Sequence, residues 1–413
     1  MDDLSRSALI RGITAFVVIV VAGTTLVYAA GRVGSKSTGE GAPTGPPPTS
    51  VPSSPVVTTP EAWLAWVPGG VPEDFGASLT AIPAVTNTTT AAADIAWMTG
   101  STNGAGVAID TPTAPYMIPI DTTGVDLRSF PSFLPQPERG QVAELQPGQG
   151  ILSESEAQLR GLRRGATLTF DGSVDIKVVG TLPDAMMGGY ELLVDRATGQ
   201  QLGVTHDRYV LFHVAPNATI TAQELAQKMV QYLPLGVPHP VVEVRSPGET
   251  PYLRANDGEL PPVLLKRRFG EFTAYPDPAA PGLIRIDPAW IQDHITSTSL
   301  PVLGTVTCNE RILGLLRSAM TRLQTMGHAA DVAGVGPCFV ATASPTDPEG
   351  PLTARPFGAA IVLNPATNKP GDPPEQSSEL VQAMARSGFG WAGTDAFPQG
   401  ALFRFRGRTS IQD

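Results

Sequence analysis

Glycine and proline interrupt this chain throughout: 43 glycines and 41 prolines stand among its 413 residues. Proline has no backbone N–H to donate and breaks helix interiors, and glycine loses more backbone entropy than other residues on ordering. Between these breaks, apolar runs are short and rich in Val, Ile, Tyr and Phe, such as TLTF at Thr167 and RYVLFHV at Arg208. Runs of this length and composition suit strands and short helices. The expected fold class is α+β, and the length fits two or three domains.

Residues 12–31 are the exception. They read GITAFVVIVVAGTTLVYAAG, carry no charge and are flanked by Arg11 and Arg32. A helix of about twenty apolar residues just spans a bilayer core at 1.5 Å per residue. Two readings compete: a retained signal anchor, or a signal peptide cleaved near Ala29 and Ala30. The length of the run favours the anchor. Orientation is not settled by charge, because Arg6 and Arg11 before the helix nearly balance Arg32 and Lys36 after it. The segment that follows, residues 32–61, is built of Gly, Ser, Thr and Pro and includes SVPSSPVVTTP. Its prolines keep it extended, so it suits a tether.

The net charge of −10 argues against a nucleic-acid partner and against binding an anionic surface by bulk electrostatics. The chain has two cysteines, Cys308 and Cys338, and neither has a His or Cys at metal-ligand spacing. They are either one disulfide or two buried thiols, and an exported chain favours the disulfide.

Residues 62–248 read as a β-rich unit. Expected strands include GVAID, YMIPID, TLTF, VDIKVVG, YELLVD and RYVLFHV. TAQELAQKMVQYL reads as a helix with Thr221 and Glu224 in a capping box and an apolar face of Leu225, Met229, Val230 and Leu233. His206, His213 and His239 fall here without a second metal-binding neighbour in the sequence. Further on, residues 309–326 show helical spacing of Ile312, Leu313, Leu316, Met320 and Leu323, closed by Gly327. The KRRF cluster at Lys266 reads as a solvated edge.

Two resemblances follow from specific motifs. Residues 148–184, GQGILSESEAQLRGLRRGATLTFDGSVDIKVVGTLPD, resemble the extracytoplasmic core domain of MacB-type membrane proteins. There a similar turn leads into a small β-barrel, so the resemblance implies a protein-contact module. Residues 352–364, LTARPFGAAIVLN, and 390–405, GWAGTDAFPQGALFRF, resemble the VanY-like D-alanyl-D-alanine carboxypeptidases, which are zinc peptidases. The family pattern is S-x-H-x-x-G-x-A-x-D-[LI]-N, then G-F-x-W-G-G-x-W and D/E-x-x-H-F. Thr353, Gly358, Ala360, Leu363, Asn364, Gly388, Phe389, Trp391, Gly393 and Phe403 fit its skeleton.

The functional positions do not fit. Arg355 stands at the first histidine, Val362 at the aspartate, Leu402 at the second histidine and Gln399 at the general base. Thr342 stands where the family places an arginine that holds the substrate carboxylate. A catalytic zinc needs three protein ligands and an open water position, and a base must accept a proton at neutral pH. The expectation is therefore no catalytic residue, no metal and no cofactor. Arg355 and Arg404 are candidate ligand-binding residues for a peptide carboxylate; the alternative makes them surface arginines pairing with Asp347, Glu349 or Asp395.

The expected layout is a cytoplasmic N-terminus at 1–11, a transmembrane helix at 12–31, a linker at 32–61 and a MacB-core-like domain at 62–248. A connector at 249–282, a carboxypeptidase-like domain with an antiparallel sheet at 283–406 and a tail at 407–413 complete it. The functional expectation is a single-pass, membrane-anchored pseudo-peptidase outside the cytoplasm, binding peptidoglycan or an envelope protein without hydrolysis. The alternatives are an active zinc metallopeptidase, or a structural subunit of an envelope membrane complex.

Overall fold

A computed structural model describes residues 62–235, 240–247, 260–280, 282–342 and 352–407. The expected transmembrane helix and the whole of the expected linker lie outside the described residues, as do His239, Asp347 and Glu349. Among the described residues no helix is long and apolar enough to cross a membrane.

In chain order the first elements are β1 (Trp63–Trp66), α1 (Phe75–Leu79), β2 (Val85–Thr102), β3 (Ala108–Asp110), β4 (Ile118–Val125) and α2 (Gln136–Ala143). Next come β5 (Gln149–Ser153), α3 (Glu154–Arg160), β6 (Thr167–Phe170), β7 (Val174–Leu182), α4 (Asp184–Met187) and β8 (Leu192–Asp195). Helix α5 (Arg196–Gln201), β9 (Asp207–Val214), α6 (Ala222–Met229) and β10 (Glu243–Arg245) finish this part.

The ten strands make one sheet in the order β10-β1-β9-β2-β4-β8-β5-β7-β6, with β3 beside β2. Because β6 also pairs with β2, the stretch from β2 to β6 closes on itself as a barrel. This is the small barrel that the resemblance of residues 148–184 implies. Its interior is filled by side chains, among them Ala96, Met98, Ile120, Leu168, Ile176 and Val178, as a barrel of few strands requires. Gly165 and Gly172, at φ 94° and 73°, bracket β6 and supply the turns that hold it in register.

Strand β2 carries the architecture. It is 18 residues long, pairing with β9 and β4 along its first part and with β6 and β3 along its last. Its threonines favour extended backbone. Its alanines, Ala91, Ala92, Ala93 and Ala96, are buried on both faces. One layer beside it packs α1 and α6 through Phe75, Leu79, Leu225 and Met229. The capping box of Thr221 and Glu224 is present on α6. The other face packs Trp66, Phe130, Phe133 and Tyr209.

The C-terminal part is also α+β. It contains α7 (Pro262–Phe269), β11 (Ala274–Pro276), β12 (Ile284–Ile286), α8 (Pro288–His294), β13 (Ile295–Leu300) and β14 (Gly304–Asn309). It continues with α9 (Glu310–Thr325), β15 (Ala360–Val362), α10 (Ser378–Ala385), β16 (Phe389–Trp391) and β17 (Leu402–Phe405). The last three strands form an antiparallel sheet in the order β15-β17-β16. Helix α9 buries Ile312, Leu316, Ala319, Met320 and Leu323, the stripe that its spacing predicts. It ends in a Schellman motif, with Gly327 N–H on Gln324 O and His328 N–H on Leu323 O.

The described part of the stretch expected as a connector, residues 260–280 and 282, is structured. It supplies α7 and β11, and Lys266 of its basic cluster is buried rather than solvated. Only Arg267 and Arg268 of that cluster are exposed. The reason is that α7 is amphipathic: Val263, Leu265, Lys266 and Phe269 share the inward side.

Cys308 and Cys338 form a disulfide with a Cα–Cα distance of 5.2 Å, joining the end of β14 to the loop before β15. The closed loop spans a sequence separation of 30 residues. Replacing both cysteines with serine is expected to lower unfolding free energy by about 3 kcal/mol, through the freed entropy of the unfolded chain. Denaturant unfolding of the double variant against the parent checks it, and an unchanged midpoint would sink the expectation.

Candidate functional site

Two of the three residues at the expected zinc positions, Val362 and Leu402, meet on one strand pair. In the register of β15 and β17, Val362 lies opposite Leu402 and Ala360 opposite Arg404. Directly opposed residues in an antiparallel pair point to the same face. One face therefore carries Ala360, Val362, Leu402 and Arg404, while Ile361 and Phe403 point into the core on the other. The loop before β15 closes over Val362: Gly336 N–H donates to Val362 O at 2.8 Å. A Cβ at Gly336 would sit 2.9 Å from Val362 Cβ. Aliphatic carbon thus fills the place where the resemblance has metal ligands. Neither side chain has a donor atom, so these residues do not fit a zinc ion, and no hydrolytic step can be derived through one.

The other expected positions are spread around this pair. Gln399 is half-buried in the turn before β17, where its carbonyl accepts from Leu402 N–H at 2.9 Å. Thr342 sits in a bridge to Leu283 with its hydroxyl buried and without a hydrogen-bond partner. The two arginines differ. Arg404 is buried and ion-paired with Asp395 at 2.7 and 2.8 Å, so it is neither a surface arginine nor an uncompensated charge. Arg355 is half-buried in the turn before Gly358. Its Nε has no hydrogen-bond partner. Burial holds its guanidinium below the ordinary arginine value, and no carboxylate among the described residues pairs with it. Of the candidate residues, Arg355 alone is a cation with no ion-pair partner among the described residues, from which Asp347 and Glu349 are missing.

A second constellation was not visible in the sequence. Lys266 Nζ reaches Glu191 at 2.7 and 2.9 Å, the carbonyl of Pro119 at 2.7 Å and Glu271 at 3.4 Å. Arg160 binds Glu271 at 2.5 and 3.2 Å, Asp110 at 3.3 Å and Glu156. Glu156, Glu191 and Lys266 are within 2 % of full burial. Burial alone would discharge these cations, but the surrounding carboxylates more than reverse it, so Arg160 and Lys266 are raised above their ordinary values. Burial is opposed likewise at Glu271, which the two cations hold below the ordinary carboxylate range. At Glu191 burial wins over Lys266 and raises its carboxyl to about 8. The cluster holds more carboxylates than cations, so Glu191 is the group that keeps its proton. The centre of the cluster at Glu156, Glu191 and Lys266 is closed to solvent, while Asp110 and Glu271 are partly exposed at its rim, and the whole fastens the barrel to α7.

The histidines are mostly accounted for by packing. His206 binds Asp94 at 3.1 Å beside Arg208, which meets the same carboxylate at 2.8 Å. His213 stacks on Phe133 and His294 on Trp290. One group of His and carboxylate side chains among the described residues is close enough to share a metal ion: His328, Asp331 and Glu379. It does not include any of the positions that the resemblance assigns to zinc.

No protein-family model matches the chain, and no curated protein matches it. Solved structures similar to it include the periplasmic region of MacB from Actinobacillus actinomycetemcomitans, at 11% identity and a TM-score of 0.29. That comparison covers 45% of this chain and 88% of the other. The extracellular domain of the noncanonic ABC-type transporter YknZ from Gram-positive bacteria is similar at 14% identity and a TM-score of 0.27, covering 45% of this chain and 99% of the other. The first is a MacB protein, the type that residues 148–184 resemble. Neither is named as a peptidase, and the peptidase resemblance gains nothing from them.

The linkage of Glu191 to stability has a definite sign. A carboxyl held at about 8 in the folded chain against 4.5 when free binds more protons folded than unfolded between those values. Stability from this group is complete below about pH 4.5 and is lost as pH rises through about 8. Thermal unfolding between pH 5 and pH 9 should therefore show a falling melting temperature, and Glu191→Gln should flatten that fall. An identical pH profile in the variant would refute the assignment.

Proposed function

We propose that this chain is a non-hydrolytic, extracytoplasmic part of a cell-envelope complex and works by binding a protein partner. The observation that carries the reading is the pairing of Val362 with Leu402 at the positions where a peptidase of the resembled kind holds its metal. An aliphatic pair can pack but cannot polarise a carbonyl or activate water. The disulfide supports the compartment, because such bonds persist where the surroundings are oxidising. The anchor at residues 12–31 and the division of the exported part at 249–282 belong to this proposal.

A second reading is favoured by Arg355. Its partly desolvated guanidinium, without a carboxylate partner among the described residues, suits a peptide carboxylate, which makes uncleaved peptidoglycan peptides a candidate ligand.

Two measurements test these readings. The purified full-length protein, with and without added zinc, is expected to release no D-alanine from a peptide ending in D-Ala-D-Ala; release that a chelator abolishes would overturn the non-hydrolytic reading. Cross-linking in intact cells should recover a membrane protein partner, while isolated sacculi should retain little of the protein. Strong retention on sacculi that Arg355→Ala removes would replace the first reading by the second.

A further inference from the structure

The end of α9 and the start of α10 meet in a side-chain group that the peptidase resemblance does not contain. We propose that His328, Asp331 and Glu379 bind a divalent transition-metal ion of the zinc class, apart from positions 355, 362 and 402.

The geometry is the first support. One ligand atom from each of the three residues lies within 4.8 Å of the other two. His328 Nδ1 and Asp331 Oδ2 are 3.2 Å apart. Two atoms each about 2.1 Å from a tetrahedral zinc stand roughly 3–3.5 Å apart. That pair is already at ligand spacing, and a carboxylate oxygen of Glu379 lies within 4.8 Å of both atoms. Side-chain exposures of 41% for His328 and 21% for Asp331 leave room for water in the remaining positions.

The second support is rigidity. His328 is fixed as the residue after the Schellman glycine, and Asp331 N–H donates to His328 O at 3.0 Å. Asn364 Nδ2 donates to Asp331 O at 2.7 Å and to Gln376 Oε1 at 2.8 Å. Asn364 Oδ1 accepts from Ala333 N–H and Gly334 N–H. Gln376 adjoins Ser377, whose hydroxyl caps α10 by accepting from Leu380 N–H at 3.1 Å. Two amide side chains thus tie both ligand-bearing segments to the end of β15. Ser378 Oγ donates to Glu379 Oε2 at 2.9 Å and orients that carboxylate, as outer hydrogen bonds do around metals.

The third support is charge. The fold holds two carboxylates together, and no Lys or Arg among the described residues forms an ion pair with either; the one partner of Asp331 is His328. A cation shared by both removes their repulsion. One imidazole nitrogen with two carboxylate oxygens suits zinc or manganese, whereas calcium requires six to eight oxygens.

Isothermal titration of the chelator-treated full-length protein with zinc chloride tests the proposal. One equivalent should bind. His328→Ala and Glu379→Gln should each weaken binding at least about tenfold, and both side chains are half-exposed, so the melting temperature of each metal-free variant should match the parent. Arg355→Ala should leave zinc binding unchanged. Absence of stoichiometric zinc, retention of zinc by a variant carrying both His328→Ala and Glu379→Gln, or tighter binding of calcium than of zinc would each overturn the proposal. D-Alanine release by the zinc-loaded protein would sink the non-hydrolytic reading above without touching this site.

Discussion

Lys266 holds the two halves of this molecule to each other. Its ammonium is buried between Glu191 of the barrel side and Glu271 after α7, with the carbonyl of Pro119 as a further acceptor. Arg160 at the end of α3 completes the bridge through Glu271. Charges removed from water are costly unless paired and hydrogen-bonded, and removing one partner of such a set costs ~3–5 kcal/mol. The arrangement is directional, because it is satisfied only when α7 sits against β8 and α3 in one pose. Apolar contacts then follow that pose: Ile95 and Trp97 of β2 pack against the C-terminal core. A pair of backbone hydrogen bonds, Met117 with Ala274, extends the contact. A resemblance to two separate modules thus describes how the sequence reads, while the fold couples them through buried charge.

Much of the barrel was legible because its strands obey local rules. TLTF and VDIKVVG alternate between flanking glycines, and Thr221 with Glu224 marks a helix start by chemistry confined to four residues. The same holds for α9, whose apolar stripe and closing glycine both lie within one segment. Strand β2 was not legible. Its Thr and Ala residues show no alternation, because both of its faces are covered and small residues suit both. The role of Lys266 was hidden for a different reason. Its partner Glu191 is 75 positions away, and a lysine among arginines carries no local mark of burial.

The candidate site divides along the same line. Its aliphatic residues could be read off the motif alignment, but their pairing across β15 and β17 could not, because register between strands some forty positions apart is set by the fold. The unequal fates of Arg355 and Arg404 could not be read off either. Asp395 lies nine residues before Arg404, and only the turn between β16 and β17 decides that they meet in a buried pair. His328 looked isolated because its neighbours Asp331 and Glu379 come from a turn and from the next helix, brought together by the amides of Asn364 and Gln376.

The motif skeleton itself has structural work that needs no metal. Gly358 has φ of 64°, and a Cβ there would lie 2.7 Å from the backbone nitrogen of Asn309, which itself donates to Gly358 O. Only glycine meets both demands. Asn364, also left-handed at φ 54°, spends its whole amide on the loop at 331–334 and on Gln376. Trp391 Nε1 donates to Gly400 O at 2.7 Å and fixes the return into β17. Each of these residues closes a turn or a strand end around the sheet β15-β17-β16. Their presence is therefore explained by the shape of this sheet and is independent of catalysis. These residues are accounted for by the turns and strand ends they close, whatever stands at positions 355, 362, 399 and 402.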